Sequence, residues 1–125
     1  MNSRRVNNKF ARPLLLDEAI GRYPDMPIVG HEESNEYWAR YDHKNFAAHC
    51  SGNMRMPQIG ELVELGNLVK NTNEFTGTYG WPTINYYYRS DTRYGGVVKR
   101  SYNLAMKKEG KNGPNDKIYA SCIIN

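Results

Sequence analysis

The residues of this chain best equipped for chemistry crowd into "YDHKNFAAHC", where Asp42, His43, His49 and Cys50 fall within nine positions. A second thiol stands far away at Cys122. Asp, His and Cys are the types that make a nucleophile–base pair or a metal site, so spacing has to decide. Neighbouring side chains on a helix diverge by about 100°, which separates His49 from Cys50, and six residues likewise separate His43 from His49. Two thiols cannot build a Cys-only zinc site, and neither belongs to a Cys-x-x-Cys pair. No Gly-x-Ser-x-Gly, phosphate loop or metal-ligand pair accompanies them. The expectation is a chain that is not an enzyme and holds no metal or cofactor. A hydrolase using Asp42, His43 and His49 is the competing reading.

The two thiols admit another use. Cys50 ends a helical pattern and Cys122 lies in the apolar, β-type run "KIYASCIIN" at the C-terminus. A bridge between them would close a loop of roughly 70 residues, worth about 4 kcal/mol by loop-closure entropy, and would restrain a strand that could fray. Such a bridge implies an oxidising compartment. Two buried free thiols in a cytosolic protein remain the alternative at this point.

The elements that would position these residues follow from periodicity. Residues 1–12 are polar and basic and read as an arm, "RPLLLDEAIG" as a strand or a short helical turn, and "RYPDMPIVGHEE" as loop. From Ser34 to Cys50 the pattern reads as a helix, capped by Ser34 or Asn35, with Trp38, Tyr41, Asn45 and Ala48 at i, i+3, i+7 and i+10. "SGN" stops it, with Gly52 suited to a left-handed position. A second helix follows in "RMPQIGELVELGNLVKN", with Pro57 in its first turn and Ile59, Leu62, Val63, Gly66 and Val69 on one face. Gly60 and Gly66 each weaken it, so close packing against a sheet is the expected reason for them. "TNEFTGTYGWPT" is too turn-rich for an element, and "INYYYRS", "GGVVKRSYNLAM" and "KIYASCII" are strands. "KKEGKNGPND" reads as an exposed connection. The order gives an α+β domain, two helices packed on antiparallel strands with a long irregular loop region. Its division is 1–33 as arm and first strand or loop and 34–125 as core, one domain overall.

At 125 residues and 24% charged, the chain has the size and composition of one globular domain. Its net charge of +4 is scattered among thirteen acids, and no nucleic-acid motif accompanies Lys107, Lys108 and Lys111, so nucleic acid is not an expected partner. No apolar run approaches the ~18 residues of a membrane span, and "PLLL" is too short for a signal peptide. The ten tyrosines are the compositional outlier. Tyr and Arg are enriched where proteins bind one another, which makes Tyr86, Tyr87, Arg89, Asp91, Arg93 and Tyr94 the candidate receptor-binding set. Alternation places Tyr86 and Tyr88 on one side of a strand and Tyr87 and Arg89 on the other, one side being core. Trp81 reads as a core anchor.

A helix ending in Cys50, the step Arg55-Met56-Pro57, a second helix carrying Glu61-Leu62, and a last strand with Cys122 form a combination spanning about residues 34–125. It resembles the C-type lectin-like domain at the C-terminal tip of bacterial intimin/invasin-type adhesins. The resemblance implies a Cys50–Cys122 disulfide and a calcium-independent cell-surface adhesin domain that attaches by protein–protein contact to a receptor on a host or neighbouring cell. It also implies an extracellular place on the bacterial surface, at the tip of a longer chain anchored in the outer membrane, with no membrane insertion by this segment. The sequence lacks the Glu-Pro-Asn, Gln-Pro-Asp and Trp-Asn-Asp tripeptides that ligate calcium in animal lectins. A calcium-independent glycan binder on the same fold is the alternative.

Overall fold

Among the described residues ten short elements form: α1 Leu16–Arg22, β1 Val29–Glu33, β2 Glu36–Arg40, α2 His43–His49, β3 Met54–Arg55, α3 Ile59–Leu68, β4 Tyr88–Gly95, β5 Val98–Asn103, β6 Lys108–Asn112 and β7 Ile123–Ile124. They belong to a computed structural model that describes residues 6–7, 9–33, 35–69, 79–83 and 86–125. All strand pairing between them is antiparallel, in three small sheets: β1–β2, β3–β7 and β4–β5–β6. The class is α+β, as expected, with three helices among the described residues where two were expected. The candidate cap Ser34 and most of the turn-rich stretch 72–83 lie outside the described residues.

Two helices start by the same device. At α1 the Glu18 carboxylate accepts the Leu15 N–H at 2.9 Å and is gripped by the Arg12 guanidinium at 2.8 and 2.5 Å. At α3 Glu61 accepts the Gln58 N–H at 2.9 Å and is gripped by Arg55 at 2.8 and 2.5 Å. In each case a proline lies between the arginine and the cap, and the arginine fork spans the turn that the proline makes. The arginine's hydrogen bonds hold each carboxyl at about 2. At α3 this is the physical content of the step Arg55-Met56-Pro57 followed by Glu61. Pro57 itself stands just before the helix rather than in its first turn. Its carbonyl accepts the Asp91 N–H of β4 at 2.9 Å, and Thr92 Oγ1 accepts the Ile59 N–H at 2.7 Å.

The stretch expected as one helix from Ser34 to Cys50 divides instead into β2 and α2. Tyr37 is exposed while Trp38 and Ala39 are buried, and pairing with β1 from Val29↔Arg40 to Glu33↔Glu36 supplies backbone bonds that helix propensity does not match. Asp42 then caps α2, accepting the Asn45 N–H at 2.9 Å. The same pairing turns the end of the expected 22–33 loop into β1. Gly52 does take a left-handed φ of +70°. "KEGKN", inside the stretch expected as an exposed connection, is β6, a strand polar on both faces, which hid it from an alternation argument. Of the two α3 glycines, Gly66 has the expected cause: a Cβ there would stand 2.9 Å from the Tyr102 ring of β5. Gly60 has open space. The stretch read as an arm contributes Val6 and Phe10 to the core.

The C-terminal run was expected to alternate but is buried on both faces from Ile118 to Ile123. Only Ile123–Ile124 pairs as a strand, because the run passes between elements rather than along one. It exchanges backbone bonds with Tyr41 (2.8 and 3.1 Å), with Tyr87 and Arg89 (3.1 and 3.0 Å), and with Ala11 and Lys9 (2.9 and 2.8 Å). Cys50 and Cys122 form a disulfide across 72 residues, with Cα atoms 5.3 Å apart. It joins the end of α2 to this run, in a core cluster with Phe46, Tyr41 and Leu14.

His49 is buried beside that bridge. Its ring stacks on Tyr41 at 5.0 Å and its Nδ1 shares a 2.8 Å hydrogen bond with the Tyr23 hydroxyl. Burial, with a smaller contribution from the charge of Arg22, pushes its pKa down to about 4. The unfolded chain therefore takes up a proton between pH 6.5 and 4 that the folded chain refuses, and stability falls as pH drops through that window. His43, also lowered by burial, acts with the same sign, whereas Glu18 and Glu61 lose their contribution only below about 4.5, the ordinary carboxylate range. The expected result in urea titrations is a loss on the order of 2 kcal/mol between pH 6.5 and 4.5, most of it removed in His49→Phe. An unchanged slope in that variant would show the ring to be protonated in the fold.

Candidate functional site

The six residues expected to bind a receptor do not share one environment. β4 and β5 form a hairpin whose two-residue turn is Gly96–Val97, with Gly96 at φ +56°, the positive value such tight hairpins favour. Tyr94, next to the turn, is 55% exposed and Val97 69% exposed. The Lys111 ammonium of β6 lies 4.7 Å from the Tyr94 ring centre and the Arg100 guanidinium of β5 lies 6.0 Å from it. Arg93 is exposed and pairs in register with Lys99. Asp91 is half-buried, 3.3 Å from His43 Nε2 and 3.2 Å from Lys99 Nζ.

Farther from the tip the set becomes structural. Tyr86 meets His31 and Tyr119 edge to face at 5.0 and 5.6 Å, and the Arg40 guanidinium covers its ring at 4.3 Å. Tyr87 lies over Gly110 of β6, where an added Cβ would come within 2.4 Å of its ring. Arg89 departs most from expectation: it is 1% exposed. Its Nη2 donates to the carbonyls of Gly113 (3.3 Å) and Asp116, pinning the turn that leads into the C-terminal run. Strand alternation had assigned it with Tyr87 to a single face. The 113–116 turn folds over that face and closes it. Tyr88, also buried, donates to the Pro82 carbonyl at 2.6 Å, and Trp81 packs against it in the core as expected.

The residues weighed for catalysis have separate occupations. Asp42 caps α2, His43 faces Asp91, and His49 bonds Tyr23. Among the described residues, no three His, Cys, Asp or Glu side chains come together as a metal site, and no helix is long and apolar enough to cross a membrane. Of the six candidate receptor-binding residues, Arg93 and Tyr94 at the hairpin tip are the exposed ones. Sequence reasoning named Arg93 and Tyr94 there but missed Val97 and Arg100, and left Lys111 in an exposed connection because β6 carries no apolar signal.

A family model described as an adhesion domain matches residues 1–123. The chain belongs to this adhesion-domain family. A solved structure of the adhesin InvE from Yersinia pseudotuberculosis is similar to it, with 27% identity over 90% of the chain and a TM-score of 0.70. The match covers 31% of that adhesin, so the chain spans about a third of its length. A search of curated proteins finds no match. The intimin/invasin-type resemblance and the mixed α+β, C-type lectin-like architecture therefore hold, and the protein is a cell-surface adhesin domain.

Along the hairpin, burial separates residues that the sequence grouped together. Arg89→Ala is expected to lower unfolding stability by about 2–4 kcal/mol, because the carbonyls of Gly113 and Asp116 lose a buried charged donor. Tyr94→Ala is expected to stay within about 0.5 kcal/mol of wild type. Urea denaturation of both variants checks this, and equal effects would dissolve the distinction.

Proposed function

We propose that this adhesion domain attaches bacteria to a protein receptor on a host or neighbouring cell through the tip of the β4–β5 hairpin. The observation that carries the proposal is Tyr94: a large ring more than half exposed, flanked by cations, beside a tight turn on a strand whose inner end is buried. Aromatic and Arg side chains held on rigid elements cost little conformational entropy on binding, which is why they dominate interface energies. Arg93, Tyr94 and Asp91 make the contact in this reading. Tyr86 and Tyr87 support the strand from behind, and Arg89 positions it from within.

The role is attachment rather than catalysis, and it needs no calcium. The domain works outside the cell, displayed on the bacterial surface as the tip of a longer chain anchored in the outer membrane. The length of the similar Yersinia adhesin supports that placement.

The test is binding of the purified domain to cultured epithelial cells, with and without a calcium chelator, after protease or glycosidase treatment of the cells. Protease should abolish binding, whereas chelator and glycosidase should leave it. Arg93→Ala and Tyr94→Ala should each weaken it roughly tenfold at unchanged melting temperature. Loss on glycosidase treatment would transfer the role to glycan binding, with Tyr94 stacking on sugar.

A further inference from the structure

The positive charge of this chain is not spread over it. Between Tyr88 and Asn112, the stretch that forms β4, β5 and β6, stand seven cations (Arg89, Arg93, Lys99, Arg100, Lys107, Lys108 and Lys111) against two acids, Asp91 and Glu109. That sheet carries a net +5 in a chain whose total is +4, so the remaining hundred residues are net −1. Scattered as it looks along the sequence, the basic excess is confined to one sheet.

Several of these cations are already engaged. Arg89 is buried, Lys99 pairs with Asp91, Arg100 pairs with Glu109 at 3.1 Å, and Lys107 donates to the Gly66 and Val69 carbonyls at the end of α3. Arg93, Lys108 and Lys111 have no carboxylate partner among the described residues, and all three are exposed. Two of them bracket Tyr94, since Lys111 sits against its ring and Arg93 precedes it on the strand. Nothing within the fold requires these two charges. Carried on one basic sheet without a carboxylate of their own, they add to a positive field that favours an anionic partner.

We infer that the β4–β5–β6 sheet docks an acidic protein surface, with Arg93 and Lys111 meeting carboxylates on either side of the Tyr94 contact. This rests on the adhesion reading above and supplies the partner's chemistry. A protein is favoured over an acidic glycan by the apolar side chains exposed on the same sheet and its turns. Val97 at one end and Met106 (65% exposed) at the other, with Tyr94, give the aromatic, Met and Arg composition of protein interfaces. Charge complementarity of this kind acts mainly on association rate and partner choice, and salt screens it.

The experiment measures binding of the wild-type domain and of Arg93→Glu, Lys111→Glu and Arg22→Glu to fixed epithelial cells, at 50 and 500 mM salt. Arg22→Glu makes the same charge change on an exposed residue of α1, away from the sheet. The expected result is that each sheet variant binds at least tenfold more weakly, Arg22→Glu stays within twofold, and high salt weakens wild type. Melting temperatures should match, and Lys111→Arg should retain binding. Strong wild-type binding with Lys111→Glu and Arg93→Glu no weaker than Arg22→Glu would overturn the acidic-partner inference while leaving adhesion standing. Binding lost when sialidase or heparin lyase strips the cells would overturn the protein partner in favour of an acidic glycan. Failure of wild type to bind at all would overturn the adhesion reading and this inference together.

Discussion

Everything in this domain leans on the burial of its C-terminal run, Ile118 to Ile123. A terminal segment would ordinarily fray, because it gains few contacts for the entropy lost in ordering it. Here Ile118 to Ile123 is buried throughout, and backbone bonds tie it to residues 9–11, to Tyr41 and to β4. Its side chains add to this: the Tyr119 hydroxyl donates to the buried Glu33 carboxylate at 2.7 Å, and Ser121 Oγ donates to the Ala11 carbonyl at 2.7 Å. Glu33 in turn accepts the Thr83 N–H at 3.0 Å, so one carboxylate joins β1, the 81–83 segment and the C-terminus. The disulfide fixes that run to α2 and removes about 4 kcal/mol of unfolded-chain entropy.

That anchoring explains how a small domain can present a rigid hairpin. The inner end of β4 is held by Tyr119 on one side and by the 113–116 turn over Arg89 on another, while Pro57 and Thr92 lock it to the start of α3. Its outer end then projects with side chains released from packing. Burial and exposure are separated along a single strand within about five residues, from Arg89 inside to Tyr94 outside. Substitutions at the tip therefore change exposed side chains without threatening the fold, as the proposed contact requires.

What the sequence revealed depended on whether a residue's role was local. The cysteine staple, the α3 helix, Trp81 in the core and the reason for Gly66 were all legible, because each follows from residue type or from a resemblance carried by specific residues. The 34–50 stretch was half misread because Trp38 and Tyr41 satisfy a helical stripe as well as they satisfy a strand followed by a capped helix. Pairing with β1, invisible from within the segment, decided between them. Arg89 was misread because alternation treats a strand as having two faces, whereas a distant turn offered carbonyls that drew the guanidinium inward. The cationic sheet was missed for a related reason. β6 is polar on both sides, and only its pairing with β5 brings Lys111 to Tyr94.

Native-state hydrogen exchange on the oxidised and reduced domain tests the central role of the C-terminal run most directly. The amides of Ala11, Tyr41, Arg89, Tyr119 and Ile124 should exchange only through global unfolding, far more slowly than those of the Gly96–Val97 turn. Breaking the disulfide should lower the protection of all five together, by about 4 kcal/mol. Exchange of Tyr119 and Ile124 through an independent local opening, with Tyr41 and Arg89 still protected, would contradict the account.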